Sequence, residues 1–168
     1  AEILVGIGDE VIVSRPTIFG PEPQDVADIV FKSIKYRRMA HTAEDLTERF
    51  LRQYDIHDYS HGDIRHGFIL RFRDKFTFDV DELEKYVLDM VAQDLPVSYA
   101  DNEHINIGPH KHHCTGPRMH VTSTGKIENF HVLRDIQYDE MTGSYLLVGM
   151  VGEQKPNSVR DLNRITSL

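Results

Sequence analysis

The chain has 168 residues, 40% of them hydrophobic and 27% charged, which excludes a disordered or fibrous protein and suits one α+β-sized domain over residues 1–168. A formal charge of −8 disfavours a protein dedicated to gripping phosphate backbones, so nucleic acid is not an expected partner. The single cysteine, Cys114, has no disulfide mate; no run reaches the roughly 18 apolar residues of a membrane helix, and the opening AEILVGIGDEV lacks a basic leader, so a cytoplasmic setting without a membrane partner is expected.

Two β-rich runs, 3–5 and 11–13, flank Gly6, Gly8 and Asp9 and predict an N-terminal strand pair. A proline-rich connector, 15–23, leads into a helix over 24–38, where Val26, Ile29, Val30 and Ile34 recur on one face and Lys35, Arg37 and Arg38 suit the C-terminal end of the dipole. Thr42 reads as the cap of a second helix that ends before Asp55, with Asp45 reaching back and Leu46, Phe50 and Leu51 on the apolar side. Phe68, Leu70 and Phe72 alternate with Ile69, Arg71 and Arg73, the mark of a strand with one buried face. A third helix is predicted over 80–92, with Asp79 as cap, Glu82 at the reciprocal position and Phe78 and Leu83 as a hydrophobic staple.

Beyond Pro96 the pattern turns to strands at 97–99, 104–107 and 118–122, then to a long hairpin pairing 127–138 with 144–151 around the turn 139–143. A short terminal helix, capped by Asn157 or Ser158, would carry Val159, Leu162 and Ile165. Helices mainly in the first half and strands in the second predict an α+β fold with an antiparallel sheet.

Eight of the ten histidines fall in two windows: His57, His61 and His66 in DIHDYSHGDIRHG, and His104, His110, His112, His113 and His120 in HINIGPHKHHCTGPRMH. Neutral imidazole binds zinc, iron, nickel and copper, and thiolate or carboxylate completes such shells. The candidate ligands are His57, His61, His104, His110, His112, Cys114 and His120, for Zn, Fe, Ni, Cu or Mn, with Asp58 or Asp63 as further ligand or general base. In extended chain His110 and His112 would share a side and pinch a metal, His120 would approach from a neighbouring strand, and the two windows would have to meet. Neither HExxH nor paired CxxC spacing is present, so solvated or hydrogen-bonded loop histidines are the plainer reading, and a pH-responsive contact surface is a third.

Other chemistries find less support. Cys114 beside His113 suggests a thiolate nucleophile, but neighbours on a strand face opposite ways, so another histidine would have to serve as base. Gly6-Ile7-Gly8 fails as a dinucleotide fingerprint because Val11 stands where the third glycine belongs, and no phosphate-binding loop or nucleophile elbow occurs. Both strands of the late hairpin are apolar on both faces, so the sheet is either covered on each side or meets another chain.

The leading functional reading is a histidine-rich divalent-metal-binding α+β domain, with catalysis left open. The alternative is a non-catalytic structural or assembly protein, part of a homo-oligomer, virion or other large particle, meeting itself or another protein through the 127–151 hairpin and a docking segment at 153–168. A lesser alternative is a small-molecule-pocket enzyme using a His/Asp pair for proton transfer.

Overall fold

The architecture comes from a computed structural model that describes residues 23–64, 66–114, 116 and 119–152, with side chains from residue 35 onward except at positions 63 and 64. The expected N-terminal strand pair and terminal helix lie outside the described residues.

Where two helices were expected there is one, α1, Pro23–Gln53. Nothing between Arg38 and Thr42 breaks it: no glycine or proline intervenes, and Met39, Ala43, Leu46 and Phe50 continue one buried stripe at helical spacing. Thr42 is not a cap. It sits mid-helix, and its hydroxyl donates to the Arg38 carbonyl one turn back at 2.8 Å, as buried helical threonines do. The burial of α1 goes beyond its apolar stripe, because Thr42, Glu44, Asp45 and Thr47 are buried too. Carboxylates in such a position demand compensation by cations or hydrogen bonds.

The second helix, α2, Val80–Ala92, forms where its local signals place it, with the Asp79 side chain accepting from the Asp81 amide at 2.8 Å. Glu82 does not close a capping box; its carboxylate instead accepts from the Tyr54 hydroxyl at 3.3 Å.

The strands make two antiparallel sheets, so the α+β class is as expected. In the larger sheet β1 (Tyr59–Ile64) pairs with β2 (Gly67–Phe72) and β2 with β8 (Ser144–Met150). The far side of β8 is lined by β6 (His131–Val132) and β7 (Gln137–Asp139). The smaller sheet is a meander of β3 (Val97–Asp101), β4 (His104–Ile107) and β5 (His110–His113). Strands β1 and β5 run through the two histidine windows, whose polar sequences carry no strand periodicity.

The late hairpin exists, with Asp139 opposite Ser144, but its first arm is interrupted. Residues 127–130 follow a 3-10 turn, Thr124–Lys126, and send Ile127 and Phe130 into the core. Between β6 and β7, Arg134 turns to α2, pairing with Asp81 at 2.7 Å and Glu84 at 3.0 Å. The Val132 amide also donates to Glu84, at 2.7 Å. The expected strand at 118–122 is likewise absent among its described residues, since the Val121 amide donates to Thr42 on α1 rather than to a sheet.

Both helices and both sheets feed one core, which includes Met39, Leu46, Phe50, Phe68, Leu83 and Ile105. The opposite face of the larger sheet is also buried, with Ile69, Leu146, Val148 and Met150 forming a second cluster against Leu133, so β2 is covered on both faces rather than one. Phe68 lies in register with Gly149, where a Cβ would collide with its ring. Gly149→Ala should therefore cost about 1–3 kcal/mol by overpacking, seen as an earlier urea midpoint at constant slope. An unchanged midpoint would contradict this packing.

Candidate metal centre

Helix periodicity places His41 and Asp45 four residues apart on one face of α1. Two residues of the chain that follows β5, Cys114 and His120, come down onto that face. The His41 and His120 imidazoles, the Asp45 carboxylate and the Cys114 sulfur bring one ligand atom each within 4.8 Å of all the others. Cys114 Sγ is 3.3 Å from both His41 Nε2 and His120 Nε2, and His120 Nε2 is 3.2 Å from Asp45 Oδ2. Ligand atoms at the corners of a tetrahedron with bonds of about 2.0–2.3 Å are about 3.3–3.8 Å apart, close to these three separations.

The outer partners fix where the protons are. His41 Nδ1 lies 2.9 Å from the Met119 carbonyl, which can only accept, so Nδ1 carries a hydrogen and, in the neutral ring, Nε2 turns a lone pair inward. His120 Nδ1 lies 3.1 Å from the Thr42 hydroxyl oxygen, whose own proton is committed to the Arg38 carbonyl. His120 therefore donates from Nδ1 as well, and its Nε2 lone pair faces Cys114 and Asp45. One thiol proton cannot serve both imidazoles, and none is left for Asp45 Oδ2, which is buried without a hydrogen-bond partner. Acceptor groups converge there, an arrangement that a bound divalent cation would satisfy.

The electrostatics agree. Burial, reinforced by His41, lowers the His120 pKa to about 3, so this imidazole is neutral and ready to ligate at physiological pH. Burial, with the charge of Asp45 adding to it, pushes the Cys114 thiol well above its ordinary value, so a bound cation would have to displace its proton. Burial works to raise Asp45, but His112, His41 and His120 outweigh it and hold the carboxyl below its usual range. The Gly116 amide donates to Cys114 Sγ at 3.4 Å, the kind of contact that steadies a thiolate.

The remaining candidates lie elsewhere. His112 is buried on β5 and accepts from Arg52 at 3.1 Å through Nδ1; its Nε2 lies 3.8 Å from Asp45 Oδ1, beyond hydrogen-bond reach, and stands outside the four. His110 is exposed at the start of β5 and joins no converging group. His57 pairs with Asp55 at 2.9 Å on the surface, and Asp58 is exposed. His61 contacts Glu44 and lies 3.6 Å from Glu48, making a second group on α1. There the hydrogen bond with Glu44 raises the His61 pKa, which favours the protonated imidazole beside the two glutamates. Both windows thus dock on α1, the first at Glu44 and Glu48, the second at His41 and Asp45.

His104 lies 2.7 Å from Asp101 at the β3–β4 turn. Asp101 is held well below the usual carboxylate range by the Glu103 amide, His104 and Lys111, so it adds stability above about pH 3.9 that is lost as pH falls through its lower folded value. Asp101→Asn should be less stable than the parent at pH 7, with the gap beginning to narrow below about pH 3.9, toward pH 3. A gap constant across that range in urea titrations would rule out this role.

Sequence reasoning pointed to Cys114 and His120 but overlooked His41 and Asp45. The available signal was a His/Asp pair at helical spacing beside the apolar positions Met39, Ala43 and Leu46. The sequence matches no protein-family model, and no curated protein resembles it significantly.

Proposed function

We propose that this is a divalent-metal-binding domain whose ion is held by His41 Nε2, Asp45, Cys114 Sγ and His120 Nε2. One observation carries the reading: four donor groups, Asp45 and Cys114 buried and His41 and His120 partly so, converge within 4.8 Å of one another while the outer nitrogen of each imidazole is engaged as a donor elsewhere. A thiolate with two imidazoles and a carboxylate suits zinc, and disfavours manganese, which prefers an all-oxygen shell. With four protein ligands no position is left for substrate, so the ion's role is structural: it pins Cys114 and His120 to the middle of α1.

Metal analysis of tag-free protein by plasma mass spectrometry tests this. Near one equivalent of zinc is expected in the native chain and in His110→Ala, with severe loss in Cys114→Ala and Asp45→Ala. Native protein that stays metal-free after zinc reconstitution would overturn the proposal.

A second reading, assembly through the hairpin, is favoured by the tip residues Tyr138 and Met141, which are 55% and 69% exposed. Light scattering of the native chain against Tyr138→Ser/Met141→Ser tests it. A monomeric native mass would exclude it.

A further inference from the structure

Beside the metal-ligating groups lies a cavity of about 330 Å³, within the lower range of small-molecule pockets. It is formed by α1 one turn before His41, by the chain from His120 to Thr122, and by the 3-10 turn. Its charges are unbalanced. Lys35, Arg38 and Lys126 line it against the single carboxylate of Glu128, and that carboxylate is taken by Lys35 at 2.9 Å. The exposed side chains of Arg38 and Lys126 have no ion pair or hydrogen bond among the described residues. Two uncompensated cations at one hollow are conspicuous in a chain of net charge −8.

The hollow also has apolar wall. Met39 and Val121 line it, together with His120. An inorganic anion would leave that wall unused. A monoanion would satisfy only one of the two free cations, whereas a phosphate monoester carries about 1.5 to 2 negative charges near pH 7 and offers oxygens to both the planar Arg38 fork and the Lys126 ammonium. We propose that this cavity binds a small phosphate monoester, its phosphate held by Arg38 and Lys126 and its organic part laid against Met39, Val121 and His120. The site shares His120 with the proposed metal centre, but the cations that define it, Arg38 and Lys126, are not among the proposed ligands, so its failure would leave the metal content untouched.

Phenyl phosphate is a suitable probe, titrated into the 168-residue metal-replete chain by calorimetry, with inorganic phosphate and benzoate as partial ligands. Saturable binding is expected for phenyl phosphate, at least tenfold tighter than for either partial ligand. Arg38→Gln/Lys126→Gln should weaken it at least tenfold with unchanged thermal stability, since both side chains are exposed, while Lys75→Gln leaves it intact. Absence of saturation, or equal binding by the double variant, would overturn the inference.

Discussion

Removing the proposed ion should lower the thermal midpoint by about 8–16 °C. An ion present at a thousandfold its dissociation constant contributes about 4.1 kcal/mol to the folded state, and a domain of this size loses about 2–4 °C per kcal/mol. The expected pattern in differential scanning calorimetry is a fall on equilibration with excess chelator, recovery on returning zinc, and no chelator response in Cys114→Ala. A native midpoint indifferent to chelator would mean that the four groups are held by protein contacts alone.

The second large effect is expected at Thr42, which no ligand set would include. Its oxygen accepts from His120 Nδ1 and from the Val121 amide, both at 3.1 Å, while its proton is given to Arg38. Thr42→Val keeps the volume but orphans two buried donors, each worth about 1–3 kcal/mol, for a total of about 2–6 kcal/mol. It also frees the ring whose orientation presents Nε2, so zinc affinity should fall about 10–100-fold, the usual cost of losing an outer partner of a ligating histidine. Thr42→Ser, which retains the hydroxyl, should restore most of both. If the valine variant binds zinc as the native chain does, Thr42 is only a packing residue.

These two effects meet on one turn of α1, which explains why so polar a turn is buried. Helix α2 was legible because its determinants are local: Asp79 caps it, and Phe78 and Leu83 bracket its first turn. The continuity of α1 was not, because threonine serves both as a cap and as a mid-helix residue that bonds one turn back, and only the arrival of His120 and Val121 decides between them. Strands β1 and β5 escaped notice for a related reason. Their residues are polar and lack alternation, and extended conformation is imposed by their partners, β2 for one and β4 for the other.

The candidate centre divides along the same line. Histidine clustering drew attention to the segment holding Cys114 and His120, where local density is visible in the sequence. His41 and Asp45 sit 73 and 69 residues before Cys114 by their numbers, and their relation to it is set by packing of α1 against the chain after β5. Conversely, His57, His104 and His110 belong to the dense windows yet lie on the surface or at a turn, where Asp55 and Asp101 engage the first two. Density of imidazole marked the region; burial and proton placement select the members.

The most direct test of the metal centre is X-ray absorption at the zinc edge of the reconstituted protein. The geometry predicts a four-coordinate shell with one sulfur at about 2.3 Å and three nitrogen or oxygen neighbours at about 2.0–2.2 Å, the sulfur vanishing in Cys114→Ala. A native shell of nitrogen and oxygen only, or one of higher coordination without sulfur, would contradict the assignment of His41, Asp45, Cys114 and His120 as the ligands.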